Sequence, residues 1–333
     1  MIIDYIIITY VKMYSLFREK VWAELQCEKE EGELSEYIYK SDIGTVIYRF
    51  FKREAGVVDG KTYYDIASYR GAEGPYIEEV LKGKERELLI GFRKEFEQFC
   101  EINNVIAEFA KLDPWDEYIE ISKEVYKAEY YGNFYCNDLT RDFYSLDYNR
   151  RAKRAIKKAC EMGVTVYVDY EGDTIADFVR LYHNTENKYD TNNYYMFSEE
   201  YIKKYFEALY GRCFLINAKV DNKIITSVLV AMGEDIMHYL YLGSDPNYLA
   251  YQGNSLLTYE TSLIGKNKGM KIFDMGGGKP GGNVEGFKRS FISDDGVWEY
   301  FVIKKVWNED IYQQLLKKKE NIKNEKMFPK YRG

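Results

Sequence analysis

The sequence predicts an α/β (α+β) chain of two tandem domains, each a mixed, mainly antiparallel sheet with flanking helices. Three observations carry this. At 333 residues the chain exceeds one typical small domain, and its 46% hydrophobic content can fill real cores. The two halves share one order of patterns: helix, antiparallel strands, a glycine-bearing strand end, a helix, another strand. Residues 236–278 then read as strand, glycine-bearing turn, amphipathic helix, strand and glycine cluster, the order of a βαβ unit. The polar, aromatic connection at 138–148 sets the boundary. The expected domains are 1–146 and 147–308, with 309–333 a tail returning to the first domain.

In chain order, residues 14–24 are patterned as a helix and 28–33 as a solvated charge run. Residues 44–53 are β-rich. Asp59-Gly60 sits between two strand-like runs, a signal for an antiparallel hairpin. Residues 68–76 form a Gly/Pro loop at a strand end. A long amphipathic helix (88–102) and a strand (104–109) follow. In the second half, Arg150, Arg151, Lys153, Arg154, Lys157 and Lys158 alternate with Ala152, Ala155, Ile156 and Ala159 at helical spacing, and Gly163 stops the helix. Those charges suit either a solvated face or a phosphate-bearing partner. Residues 164–169 read as a strand, 174–188 as a helix, 190–197 as a polar aromatic loop, and Ser198 as a capped helix start. Val220-Asp221-Asn222 turns between two further strands.

The region the rest is organised around begins at 236–242, an apolar aromatic run closed by Gly243-Ser244-Asp245-Pro246. Gly253-Asn254-Ser255 opens a helix, with Asn254 or Ser255 as its cap. Leu256, Leu257, Leu263 and Ile264 share one face. Lys266 and Lys268 suit the C-terminal dipole, and Gly269 the left-handed position beyond it. The strand at 270–275 runs into Gly276-Gly277-Gly278, where no Cβ keeps a ligand from the backbone. A helix N-terminus between two strands offers N–H groups to an anion, and Lys288 beyond the glycines offers a full charge.

Composition narrows the chemistry. The net charge of −7 excludes nucleic-acid binding by bulk field, so any such contact must come from a local basic patch. The 34 Tyr suit polar clefts, although AT-rich codon usage accounts for them together with Lys, Asn and Ile. Five scattered Cys without a CxxC pair point to reduced thiols, not to a disulfide scaffold or a zinc site. His183 and His238 are the only histidines. Neither has a carboxylate or thiol at partner spacing, so both read as structural, against a His-based triad or metal site. Residues 1–12 are apolar but carry Asp4 and no basic n-region, so they do not read as a signal peptide, and they are too short to span a bilayer.

Several motifs, taken together in order, resemble one family. They are Tyr64-Asp65-Ile66-Ala67-Ser68-Tyr69-Arg70-Gly71 with Gly74-Pro75; Arg154-Ala155-Ile156-Lys157-Lys158-Ala159 with Gly163-Val164; Leu181-Tyr182 with Thr185; and Tyr194-Tyr195 with Phe197. Phe273-Asp274-Met275-Gly276-Gly277-Gly278, Gly286-Phe287-Lys288-Arg289-Ser290-Phe291 and Phe328-Pro329-Lys330-Tyr331-Arg332 complete the set. The chain resembles the FemXAB-like branch of the GNAT acyltransferase superfamily, whose best-known members are peptidoglycan bridge aminoacyltransferases. The resemblance implies two GNAT-like domains with a cleft between them, and transfer of an acyl or aminoacyl group to an amine. It implies that Phe287 and Lys288 lie where the acyl group reacts, with Lys288 stabilising charge. It sets Lys188, where the family more often has Arg, against substrate phosphates. Residues 248–254 depart from the Gln/Arg-x-x-Gly-x-Gly/Ala turn of CoA-using relatives, which weighs against acetyl-CoA. The long helical hairpin of some aminoacyl-tRNA users is also missing, as it is in compact members.

The candidate catalytic residues are therefore Lys288 and Phe287. The candidate substrate-binding residues are Asp65, Tyr69 and Arg70 in the first domain, with Lys188, Tyr194, Tyr195, Tyr239, Tyr241, Asp274, Gly276 and Gly277 in the second. Asp274, at a strand end, reads first as a structural cap and second as a loop orienter or proton acceptor. Tyr239 and Tyr241 share a strand face and either line the cleft or pack in the core. The expected activity is transfer of an aminoacyl group from aminoacyl-tRNA to an amine of a peptidoglycan precursor or related cell-envelope substrate. One alternative is acyl-CoA-dependent N-acylation of a nucleotide- or lipid-linked sugar in surface polysaccharide synthesis. Another is a non-catalytic GNAT-like binding protein. No metal and no cofactor are expected, the donor being a co-substrate. The expected partners are a nucleotide- or lipid-linked envelope precursor and aminoacyl-tRNA. The expected location is cytoplasmic, with peripheral contact to a membrane surface left open.

Overall fold

The computed structural model describes residues 13–71, 74–188, 195–319 and 327–333. In chain order the elements are α1 (Lys20–Gln26), β1 (Glu33–Ser41), β2 (Gly44–Val58), β3 (Lys61–Ala67), β4 (Tyr76–Val80), α2 (Glu85–Ile102), β5 (Val105–Lys111), α3 (Ile119–Tyr126), β6 (Glu129–Asp138), α4 (Phe143–Leu146) and α5 (Arg150–Glu161). There follow β7 (Thr165–Asp169), α6 (Ile175–Lys188), α7 (Glu199–Ala208), β8 (Cys213–Val220), β9 (Lys223–Met232), β10 (Ile236–Ser244), α8 (Gly253–Asn267), β11 (Ile272–Gly277), α9 (Asn283–Lys288), β12 (Val297–Val306) and α10 (Glu309–Lys318).

The elements form two compact units, neither a continuous stretch. One joins 30–130 to 301–333, and the other joins 15–29 to 131–300. The boundary drawn after residue 146 falls inside the second unit, between α4 and α5. The reason is β6: it pairs with β11, so the chain has entered the second unit before it reaches the polar connection.

In the first unit β2 pairs antiparallel with β1, β3 and β4. The β2–β3 hairpin turns at Asp59 (φ 51) and Gly60 (φ 76), the positive-φ pair a two-residue hairpin requires. β3 and β5 run parallel, connected through α2, and β12 joins β5 antiparallel. Helix α2 starts with Glu85 and Glu87, which suit its dipole, and buries Leu88, Leu89, Phe92, Phe96 and Cys100 as one face. That face closes a core with Val46, Tyr48, Phe50 and Ile303. A smaller core sets Tyr312, Leu315 and Tyr331 against Val58, Ile106 and Ala107.

In the second unit the strand order is β6-β11-β10-β9-β8-β7. β10 and β11 are parallel and the other pairs antiparallel. The β8–β9 hairpin turns on Asp221 and Asn222, both at positive φ. The core runs through Phe214, Ile216, Val228, Val230, Leu257 and Phe273. Helix α8 is not capped by Asn254 or Ser255: its N-cap is Gln252 in the left-handed conformation (φ 60), without a side-chain bond. Asn254 instead accepts the Tyr239 hydroxyl, and Ser255 is buried.

Candidate active site

The site grows from β10 and β11, the one parallel strand pair of the second unit among the described residues. β10 and β11 keep register over only three pairs, Ile236 with Ile272, Met237 with Phe273, and His238 with Asp274. Beyond them both strands are irregular. β10 shifts register against β9 between Tyr239 and Tyr241, and β11 shifts against β6 between Asp274 and Gly277. Bulges bend strands and re-aim side chains. Here two of them sit at the carboxyl end of a parallel pair, where α/β sheets bind ligands. Gly276, Gly277 and α9 follow at once, so the glycine cluster and Lys288 are delivered to that end by chain order.

Register also assembles a set of buried contacts that spacing conceals. His238 Nδ1 lies 3.0 Å from Asp274 Oδ2, with both side chains buried. The other ring nitrogen, Nε2, is 3.5 Å from Ser15 Oγ, and Phe17 stacks on the imidazole at 4.0 Å between ring centroids. The expectation that neither histidine has a carboxylate partner is therefore corrected for His238. The partner lies on the adjacent strand at the same level, so no short sequence spacing connects them. His183 is set differently, its Nε2 lying 2.8 Å from the Phe197 carbonyl. Asp274 does orient the loop: Oδ1 accepts the Gly276 N–H at 2.6 Å, with Cys136 Sγ at 3.9 Å.

Lys288 Nζ donates to Gly277 O at 2.6 Å. A Cβ on Gly276, which sits at φ +75, would lie 3.5 Å from the same nitrogen. The ammonium is thus pressed against glycine backbone, where only Gly takes the required φ without strain. Burial lowers its pKa to about 8, partly offset by the charge of Asp274. Phe287 is half-buried, its ring 5.0 Å from that of Phe291. Lys288, Asp274, Gly276 and Gly277 therefore come together.

The contacts of the remaining candidates are with other side chains. Tyr239 donates to Asn254 Oδ1 at 2.5 Å, in the first turn of α8. Tyr241 is buried, with its hydroxyl 3.2 Å from that of Tyr205. Tyr195 is half-buried. Lys188 closes α6, but its side chain, like the whole of Tyr194, lies outside the described residues. In the first unit the Asp65 carboxylate is fully buried and committed to other side chains. Oδ1 takes Arg53 Nε at 2.7 Å, and Oδ2 takes Tyr331 at 3.0 Å and Arg332 Nε at 2.5 Å. Reading Asp65 as a substrate contact is corrected on this ground, because it anchors the tail. Tyr69 is wholly buried and edge-on to Phe51, and Arg70 is half-buried. Sequence reasoning passed over Lys111, whose pKa burial lowers and whose Nζ donates to Tyr69 O at 3.5 Å. Its position at the end of a strand parallel to β3 was the available signal.

Among the described residues no group of three or more His, Cys, Asp or Glu could hold a metal ion, and no helix is long and apolar enough to cross a membrane.

Comparison with known proteins assigns the class. Residues 147–289 match the family described as acetyltransferase (GNAT) domain. That span contains β10, α8, β11 and Lys288. No curated protein sequence matches the chain. Among solved structures, the fold is similar to FemX (TM-score 0.65, 13% identity, covering 90% of this chain and 94% of that one). It is also similar to a conserved protein of Bacteroides thetaiotaomicron (0.55, 11%, covering 81% and 86%). A third similar structure is the C-terminal domain of a protein from Agrobacterium fabrum assigned as lysylphosphatidylglycerol synthetase (0.50, 12%, covering 85% and 86%). The match to a GNAT domain lies within the second unit, and the chain as a whole has a fold similar to that of FemX.

Proposed function

We propose that this chain is a cytoplasmic N-acyltransferase that moves an aminoacyl group from aminoacyl-tRNA to an amine of a peptidoglycan precursor or related cell-envelope substrate. The observation that carries the reading is Lys288: an ammonium of lowered pKa, held on Gly277 O at the irregular end of the parallel pair. In the reaction the acceptor amine attacks the carbonyl carbon of the donor ester, and a C–N bond forms. The carbonyl electrons move to oxygen, and the Lys288 ammonium offsets that charge. Collapse breaks the C–O bond to the ribose. The proton lost by nitrogen ends on the departing oxygen, by way of water or the substrate. Asp274 contributes by pinning Gly276, and with it the backbone on which the ammonium rests.

The likeness to FemX supports this reading. So does the name of the Agrobacterium relative, which joins an aminoacyl group to an envelope lipid. The family description, acetyltransferase, favours a second reading with acyl-CoA as donor. Against it stands the lead-in to α8, which is a 3-10 helix over Pro246–Tyr251 closed by a left-handed Gln252 and lacks the glycine turn of CoA users. Purified protein given an envelope precursor with either charged tRNA or acyl-CoA separates the two. Lys288→Ala should lower kcat by about 100-fold or more with the donor that works. Unchanged turnover would remove Lys288 from the chemistry, and no product from either donor would leave a binding protein.

A further inference from the structure

Helix α5 carries a charge pattern that helix physics does not reward. Arg150 and Arg151 occupy its first turn with no acidic residue beside them, where the dipole disfavours cations. Arg150 with Arg154, Lys153 with Lys157, and Arg154 with Lys158 are like charges four residues apart, which repel. Ala152, Ile156 and Ala159 are buried on one side, so Arg150, Arg154, Lys157 and Lys158 form an exposed stripe opposite them. Its one acid, Glu161, lies at the far end and pairs with Lys157 at 3.5 Å. Arg150, Arg154 and Lys158 have no acidic partner among the described residues. In a chain of net charge −7 such a row does not serve solubility.

The stripe starts beside the candidate catalytic residues. Asn149, the N-cap of α5, donates its backbone N–H to Ser290 O at 3.0 Å. A Cβ on Gly286, next to Phe287 and Lys288, would lie 4.0 Å from the Arg151 guanidinium. From there α5 runs for about 18 Å, three turns of cation-bearing surface. A diphosphate would occupy only one end of it. A polynucleotide, with one charge per nucleotide, can follow all of it.

We propose that the exposed face of α5 is the docking surface for the phosphodiester backbone of an RNA acyl donor, whose acylated end reaches Lys288. This rests on the aminoacyl-tRNA reading above and adds where the RNA lies. Each phosphate contact releases counterions, so binding should weaken steeply with salt. The test uses the full chain and a deacylated bulk tRNA preparation, with binding titrated from about 50 to 200 mM salt. The variant is Arg150→Gln/Arg154→Gln/Lys158→Gln, in which glutamine keeps helix propensity and removes repulsion. Circular dichroism and Tm check its fold, and Arg154→Glu alone serves as a second variant. The expected result is a Kd raised more than about tenfold and a log–log salt slope reduced by roughly three in the triple variant. Binding by the wild type with an unchanged slope in both variants would overturn the surface and leave the donor reading standing. No tRNA binding by the wild type would overturn both. If the variants lose adsorption to vesicles of equal phosphatidylglycerol and phosphatidylcholine but keep tRNA binding, the face contacts membrane and the proposal fails.

Discussion

At the scale of single residues, Lys288 ties rate to pH in a defined direction. Its pKa of about 8 means the ammonium is charged at neutral pH and lost as pH rises through that value. The groups that bear on it are Asp274 and Cys136 from the neighbouring strands, with Glu285 of its own helix pairing with Arg289 just beyond that helix. The Lys288-dependent part of kcat should therefore fall on the alkaline side of about 8. Lys288→Arg should keep charge and move that limb upward, at a lower plateau because the fork does not fit the point contact with Gly277 O. A pH–rate profile whose alkaline limb is identical in both proteins would contradict this. The same shift carries a stability cost. Between about 8 and the ordinary 10.5 the unfolded chain binds more protons than the folded one, so this group's contribution to stability rises with pH across that window. At pH 7 its burial costs on the order of 1–3 kcal/mol. Lys288→Met should accordingly melt at or above the wild-type temperature at pH 7 while losing activity, read by calorimetry beside kcat. His238 offers a different contrast. His238→Asn keeps an N–H within reach of Asp274, whereas His238→Leu leaves a buried carboxylate oxygen unpaired. The leucine variant should lose about 2–4 kcal/mol and most of kcat, and the asparagine variant should recover much of both. Equal losses in denaturant melts and kcat would assign His238 to packing alone.

At the scale of elements, the strand, helix, strand and glycine cluster of 236–278 were legible because each follows local rules. Apolar runs of strand length, a helical apolar face and a Gly stop all act within a few residues. The contacts that make the region a site were not local. His238 meets Asp274 only because β10 and β11 pair in that register, and Ser15 arrives from far upstream. The Asn254 cap failed for a related reason: a cap is a local preference, and a tertiary bond from Tyr239 claimed the side chain. Asp65 was a candidate because it stands in the Tyr64–Gly71 motif, and only the folded tail reveals its partners. The glycine bend yields a prediction of its own. Gly276→Ala forces a Cβ into a left-handed backbone and to within 3.5 Å of the Lys288 nitrogen. It should cost about 1–2 kcal/mol in a denaturant melt and lower kcat by more than that loss of folded protein accounts for.

At the scale of the whole molecule, each unit is assembled from separated lengths of chain. The tail is part of the first unit's core and not an appendage, since Tyr331 and Arg332 satisfy the buried Asp65 together with Arg53. Removing residues 327–333 should leave that carboxylate half-paired and destabilise the first unit by about 3–5 kcal/mol. Two separate thermal transitions, with only one displaced, would localise the effect there. The order of synthesis gains meaning from the same arrangement. β5 waits for β12, and Asp65 for Arg332, whereas residues 15–29 and 131–300 have all been made once residue 300 is added. The half that emerges first from the ribosome is thus the half that must finish last, the reverse of the usual N-to-C sequence of maturation. Nascent chains stalled with residue 300 clear of the exit tunnel should already resist protease across the later-made unit while the earlier-made one is still cut.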